Sequence, residues 1–206
     1  MKGVDAMTTD AGLRERNTKG RRAALVKAAY TLFIQQGYAA TTMDEVSAQA
    51  GVSRRTAFRY FPTKEDLVFP YREERLARLE ALLVARAGEA PFETVRRACL
   101  ALARDYEEAR EQMLAQWRIA ESEPSLLGRE LQFDRRSEEA IERAFLGTDP
   151  SSARARRRAR VRAAAVIGVV RATLRDWLEG GATGDLPRLA RETFADLERG
   201  FGGASD

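Results

Sequence analysis

The sequence predicts an all-α fold of about nine helices, with a small N-terminal domain followed by a larger C-terminal one. Apolar residues recur at intervals of three and four along most of the chain, which is the period of an α-helix. The sequence lacks the alternation of apolar and polar residues that is typical of strands. Segments rich in glycine, proline, serine and aspartate separate the periodic stretches, as expected at helix ends.

The chain begins with a polar segment without helical periodicity, so we expect residues 1–17 to form a flexible N-terminal arm. The first helix is expected over residues 18–36, where Leu25 and Phe33 belong to one apolar stripe. Gly37 should end this helix, because glycine adopts the left-handed backbone conformation of a helix C-terminus without a steric penalty.

Two short helices joined by a tight turn are predicted between residues 41 and 60. Thr42 and Glu45 have the spacing of a capping box, in which each side chain bonds the backbone N–H of the other residue. Gly51 ends the first of these helices, and Ser53 caps the second by accepting from its free N–H groups. A helix, a turn containing glycine and a second helix form the helix-turn-helix pattern.

The second of these helices is strongly basic. It contains Arg54, Arg55 and Arg59 beside Phe58 and no acidic residue, which is unusual for a solvated helix. Arginine offers planar donors that match the edge of guanine or a phosphate, and the second helix of this motif enters the major groove of DNA. The alternative interpretation is an ordinary helical hairpin with a solvated basic face.

The segment from Ala48 to Leu67 carries the runs A-G-V-S, T-x-F-x-Y-F and K-E-D-L. With these runs, residues 19–70 resemble the N-terminal domain of TetR-type transcriptional repressors. Phe58 departs from the pattern, because many relatives have tyrosine there. The resemblance implies a TetR-like fold, a double-stranded DNA operator as partner and a small-molecule effector. The candidate DNA-contacting residues are Thr41, Thr42, Ser53, Arg54, Arg55, Thr56, Phe58, Arg59, Tyr60 and Lys64.

A further helix should begin after Thr63, which forms a second capping box with Asp66. Lys64 lies in its first turn, where the helix dipole disfavours a cation, so we interpret this lysine as a phosphate contact. Pro70 predicts a break near Phe69. We therefore place a DNA-binding domain at residues 18–66 and a ligand-binding and dimerisation domain at residues 67–206.

The C-terminal domain should consist of helices alone. Breaks are expected at residues 88–91, 121–124, 148–152 and 180–181, and the helical patterns between them cover about 71–87, 91–109, 113–119, 127–145, 151–179 and 185–201. The resemblance implies that the last two helices pair with their copies in a homodimer. Their apolar faces could instead fill only the core of the monomer.

Large apolar and aromatic residues on the middle helices are candidates for an effector pocket: Cys99, Leu102, Tyr106, Met113, Trp117 and Phe133. The alternative is that this stripe is plain core. Residues 117–126 resemble those of TetR-type regulators that bind acyl-CoA-like ligands, which implies that Arg118 or Arg129 meets a carboxylate or phosphate.

The composition argues against enzyme chemistry. Histidine is absent and Cys99 is the only cysteine, so the sequence offers neither a histidine base nor a cysteine cluster for a metal. We therefore expect no catalytic residue, no metal and no cofactor. The sequence contains no apolar run long enough to span a membrane and no signal-like segment, which suggests a cytoplasmic protein. A repressor is the favoured function; an activator of the same fold, a helical interaction module and a helical enzyme or carrier are the alternatives.

Overall fold

The structure is a computed structural model that describes residues 5–84, 88–146 and 152–200. Within these ranges all regular structure is helical, as predicted, and none of the helices is long and apolar enough to cross a membrane. One turn of 3-10 helix, Pro124–Leu126, precedes α8. The described residues form ten α-helices: α1 (Asp5–Gln36), α2 (Met43–Gln49), α3 (Arg54–Tyr60), α4 (Lys64–Val68), α5 (Arg72–Leu82), α6 (Pro91–Glu108), α7 (Arg110–Glu121), α8 (Leu127–Leu146), α9 (Ala153–Glu179) and α10 (Leu186–Arg199).

Helix ends in the first seventy residues follow the predicted local chemistry. The capping box of Thr42 and Glu45 begins α2, with the Thr42 N–H donating to the Glu45 carboxylate over 2.8 Å. A second box starts α4 at Thr63. Gly37 and Gly51 have φ angles of +85° and +67°, so each takes the left-handed conformation expected of a helix end. Phe69 ends α4 before Pro70, which confirms the predicted break.

The chain divides into two compact units. The first contains the described residues up to Pro70 together with Arg118–Leu126, and the second contains Tyr71–Trp117 and the described residues from Leu127 onward. The predicted boundary at residue 66 is wrong, because Leu67, Val68 and Phe69 are buried in the core of the first unit.

One expectation about the N-terminal segment changes. Residues 5–17, expected to form a flexible arm, continue α1, because no proline interrupts them and Gly12 alone does not stop a helix. Four parts of the predictions lie outside the described residues: residues 1–4 of the predicted arm, the 85–87 end of the predicted fifth helix, the break at 147–151 and the predicted last position, 201.

The core of the first unit holds the helix-turn-helix in place. Leu25, Ala29 and Phe33 of α1 pack with Val46 of α2 and Ala57 of α3, as their helical spacing predicted. Ile119, Ala120 and Leu126 join the same core from a distant part of the sequence. Further contacts fix α4, where the Tyr30 hydroxyl donates to the Val68 carbonyl over 2.9 Å.

The second unit is a helical bundle. Helix α8 packs along α9, α10 packs against α6 and α9, and α5 packs against α6 and α8. Its fully buried side chains include Val95, Ile141, Val166 and Phe194. The loop after α9 closes through the indole N–H of Trp177, which donates to the Gly184 carbonyl over 2.8 Å.

Candidate DNA-binding surface and ligand cavity

Helix α3 has a buried side and a charged side. Ala57 is completely buried against α1, while Arg54, Arg55 and Arg59 are exposed. The Ser53 hydroxyl accepts from the Thr56 N–H at 3.2 Å and so caps the helix. Because one side of α3 is held by the core, its arginines project away from the unit.

Arg54 differs from the other two arginines of α3. One of its guanidinium nitrogens donates to a carboxylate oxygen of Asp44 in α2 over 3.0 Å, and its guanidinium carbon lies 5.5 Å from the centroid of the Phe58 ring. The sequence argument that no acid balances these arginines is therefore wrong for Arg54, because the turn brings α2 and its Asp44 alongside.

Arg55 and Arg59 keep their charges available. Neither forms an ion pair with any residue in the described ranges, and Arg59 lies over the Tyr60 ring at 5.1 Å from its centroid. The pKa of the Tyr60 hydroxyl is lowered mainly by a hydrogen bond with Thr18 of α1, and to a smaller extent by the neighbouring Arg59. Of the predicted contact residues on α3, Arg55 and Arg59 are thus the cations with the fewest competing partners.

The predicted hydroxyl-bearing contacts have structural partners. Thr41 is only 1% exposed and its hydroxyl donates to the Gly37 carbonyl over 2.8 Å, so we remove it from the predicted DNA-contacting set. The hydroxyls of Thr42 and Ser53 accept at the starts of α2 and α3. Thr56 is half-buried, with its hydroxyl 2.9 Å from that of Ser53.

Lys64 is bound within its own unit. Its ammonium donates to the carbonyls of Tyr38 at 2.8 Å and Thr41 at 2.9 Å, and it lies 4.1 Å from the centroid of the Tyr38 ring. A phosphate is therefore not needed to explain a cation at the start of α4, because the loop between α1 and α2 supplies acceptors.

The second unit contains a partly open cavity of about 250 Å³. Most of its lining is apolar. All six residues that were predicted as pocket candidates line it: Cys99, Leu102, Tyr106, Met113, Trp117 and Phe133. Burial raises the pKa of the Cys99 thiol to about 12 and also raises the pKa of the Tyr106 hydroxyl.

Charged residues also line the cavity, and the sequence reasoning missed them. Arg171 of α9 forms an ion pair with Asp134 of α8, with 3.2 Å between the guanidinium nitrogen and the carboxylate oxygen. The Arg72 guanidinium donates to the Arg129 carbonyl and lies 5.6 Å from the centroid of the Phe133 ring. Burial lowers the pKa of Arg72 to about 10, and burial raises that of Asp134. The sequence could have revealed these charged residues, because residues three or four positions from an apolar residue lie on the same face of a helix.

Neither arginine that was assigned to an anionic ligand group lines this cavity. Arg118 is exposed and belongs to the first unit, and Arg129 contributes its carbonyl to Arg72. Residues 118–126 turn Ile119, Ala120 and Leu126 into the core of the first unit, so the cavity lining does not support the predicted contact of Arg118 or Arg129 with an anionic ligand group. The cavity has Arg72, Arg75 and Arg171 instead.

Comparison with known proteins identifies the family. Residues 25–69 match the model of bacterial regulatory proteins of the tetR family, and residues 89–202 match the model of the MftR C-terminal domain. The chain belongs to the TetR family. Among curated relatives, the transcriptional regulator TcmR of Streptomyces glaucescens is 38% identical over 135 residues, which cover 62% of this chain and 58% of TcmR.

TetR-family crystal structures share the fold. NalD of Pseudomonas aeruginosa, a repressor of a multidrug efflux pump, is 19% identical with a TM-score of 0.62, and the match covers 90% of this chain and 97% of NalD. Thermus thermophilus FadR, solved with lauroyl-CoA, is 23% identical with a TM-score of 0.55 over the same shares of the two chains. These identities establish a common fold alone.

One exposed face of α9 consists of small and apolar residues. Val161 is 64% exposed, and Ala164, Gly168 and Ala172 follow it at helical spacing, all exposed. A side-chain carbon added to Gly168 would meet no atom within 4 Å. Small side chains allow a second helix to approach closely.

Proposed function

We propose that this chain is a transcriptional repressor that binds a palindromic operator as a homodimer and is released by a small molecule. The observation that carries the proposal is the exposed pair Arg55 and Arg59 on α3, whose opposite side is fixed in a core. A helix held in this way can enter the major groove without reorganising. Because operator DNA lies in the bacterial cytoplasm, we propose that the protein acts there.

Two kinds of DNA contact are proposed. Arg55, near the N-terminus of α3, has the position from which side chains of this motif reach base edges, and a bidentate arginine contact to guanine discriminates by about 1–3 kcal/mol. Arg59 lies one turn later and is proposed to bind phosphate together with Tyr60. Phe58 lacks a hydroxyl and would contribute apolar contact only.

Dimerisation is proposed through α9 and α10. The exposed stripe from Val161 to Ala172 offers apolar area with little side-chain bulk, which suits a four-helix arrangement of two copies. Two recognition helices related by a two-fold axis read half-sites about 34–36 Å apart. A single α3 helix reads too few base pairs for specific binding.

The cavity of the second unit is the proposed effector site. Its apolar lining around Leu102, Met113 and Trp117 suits an apolar or acyl-CoA-like ligand. FadR, which binds lauroyl-CoA, offers a precedent for an acyl ligand on this fold. A ligand lowers operator affinity only if it binds more tightly to the conformation that does not fit DNA.

The test begins with duplexes that the purified protein selects from random sequence. Gel-shift titrations at two salt concentrations should give a steep loss of affinity with salt, because phosphate binding releases counterions. Arg55→Ala should lose preference for the selected duplex, while Arg78→Ala, on α5 of the second unit, should keep it. Salt-insensitive or absent DNA binding would favour the interaction module, and a reporter gene distinguishes repression from activation.

A further inference from the structure

Two of the four arginines that line the cavity, Arg72 and Arg171, have acidic neighbours in the lining. Asp134 pairs with Arg171, and Arg72 lies near both Asp134 and Glu130, whose charges oppose the effect of burial on its pKa. The remaining half-buried cation of the lining is Arg75 of α5. Arg175 also lines the cavity but is exposed, so water solvates its charge.

Arg75 has only weak neutral partners. Its guanidinium donates to the side-chain carbonyl of Gln116 in α7 over 3.4 Å, near the limit for a hydrogen bond. The guanidinium carbon lies 5.1 Å from the centroid of the Tyr106 ring of α6. Arg75 has no carboxylate partner at ion-pair distance anywhere in the described ranges. A neighbouring arginine, Arg78, does pair with Asp105 at 3.2 Å.

A partly buried guanidinium without a counter-ion is unfavourable, because burial removes hydration that a neutral amide replaces only in part. The planar donors of arginine match the two oxygens of a carboxylate. Aromatic and apolar residues border the same space: Tyr106, Trp117, Met113 and Leu102. A ligand that satisfies both features has an acid group at one end and an apolar body at the other.

We propose that the effector is an organic carboxylate with an apolar or aromatic body, and that Arg75 binds its carboxylate. Gln116 holds the guanidinium toward the cavity and the Tyr106 ring supports it from one side. The cavity volume of about 250 Å³ lies just below the usual range of small-molecule sites, roughly 300–1,000 Å³, which favours a compact acid. This inference rests on the proposed function, since it concerns the chemistry of the effector.

The experiment compares acids with alcohols of the same shape. Octanoate and 1-octanol, and 4-phenylbutyrate and 4-phenyl-1-butanol, are titrated into the full chain by calorimetry. A charge-assisted hydrogen bond contributes about 1.5–3 kcal/mol, so we expect each acid to bind about 10- to 150-fold more tightly than its alcohol. Arg75→Met keeps most of the side-chain length and should abolish that ratio, and Arg75→Gln should reduce it strongly. Arg78→Met removes an arginine of the same helix outside the cavity and should keep the ratio.

The outcomes separate the two proposals. Equal binding of acid and alcohol to the unaltered protein, including no binding of either, overturns the carboxylate assignment. An acid preference that survives in Arg75→Met and Arg75→Gln overturns the role of Arg75. Gel shifts on the selected duplex are run with the same preparations, and the Arg75 variants should bind it as the unaltered protein does. Failure of the unaltered protein to bind any duplex refutes the proposed function independently of the calorimetry.

Discussion

Replacing Lys64 by methionine tests whether this side chain stabilises the first unit or binds DNA phosphate. The sequence pattern favours a phosphate contact, whereas the structure has the ammonium bonded to the Tyr38 and Thr41 carbonyls. Methionine retains an unbranched apolar side chain but removes the charge and all three donors. The two roles predict different results in two separate measurements.

The expected loss of stability follows from the contacts. Two charge-assisted hydrogen bonds, at 2.8 and 2.9 Å, would each contribute about 1.5–3 kcal/mol if fully buried. Lys64 is half-buried, so water replaces part of this contribution once the ammonium is gone. The cation–π contact with Tyr38 adds about 0.5–1 kcal/mol. We therefore expect Lys64→Met to lower the free energy of unfolding by about 2–3 kcal/mol.

Urea unfolding should be followed by far-UV circular dichroism, because both tryptophans, Trp117 and Trp177, lie in the second unit. DNA affinity is then measured against salt at a temperature where the variant is folded. If Lys64 only positions the helix-turn-helix, the slope of log affinity against log salt stays unchanged. Arg59→Met is the matched control: it should unfold like the unaltered protein and lose about 0.9 in slope for each phosphate contact removed.

The opposite pair of results would assign Lys64 to DNA phosphate. A Lys64→Met variant that is as stable as the unaltered protein and that loses salt dependence as Arg59→Met does would mean that the ammonium leaves the carbonyls to bind phosphate. The loop between α1 and α2 would then hold its conformation without Lys64, contrary to what its hydrogen bonds indicate.

Four other predictions can be checked with standard assays. Arg55→Ala should lose about 1–3 kcal/mol of discrimination between the selected duplex and a one-base variant in gel shifts. Gly168→Arg should convert dimer to monomer in sedimentation equilibrium but keep the helical circular dichroism spectrum, since open space surrounds this position in the monomer. The Cys99 thiol, with a pKa near 12, should not react with Ellman's reagent at pH 8 until urea unfolds the protein. Hydrogen bonds from Thr42 lower the pKa of Glu45 in the folded protein. The ionised Glu45 therefore stabilises the fold above pH 4.5, and this stabilisation is lost as the pH falls through the lowered pKa of the folded state. Glu45→Gln should flatten this part of the curve of unfolding free energy against pH.

The sequence predicts features of this protein that depend on a few neighbouring residues. The capping boxes at Thr42 and Thr63 and the end of α4 at Phe69 are each decided within one helical turn, and the structure has all of them. The six cavity residues were also found from sequence, because helical spacing placed them on common faces of α6, α7 and α8. The period of a helix carries this information without knowledge of the partner helix.

Contacts between residues far apart in sequence could not be predicted in this way. The partner of Arg54 is ten residues away, and the main partner of Lys64 is twenty-six residues away. The end of α7 gave no signal that Ile119 and Ala120 join the core of the first unit, while Trp117 lines the cavity of the second. A continuous apolar stripe predicts burial but not which unit buries it. This is why the sequence could not show that Arg118 lies outside the cavity lining.

The sequence does not show which arginines have acidic partners, and the structure does. Counting arginines in the sequence treats Arg54, Arg55 and Arg59 as equivalent, but α2 provides Asp44 for Arg54 alone. In the cavity, the Arg72 guanidinium has the Arg129 carbonyl and nearby acids, whereas Arg75, three residues later, has an amide oxygen and an aromatic ring. A cation whose charge is already balanced gains less from an anionic ligand, since it must exchange one partner for another. The arginines that the fold leaves without acidic partners are therefore the ones expected to bind DNA on α3 and a carboxylate in the cavity.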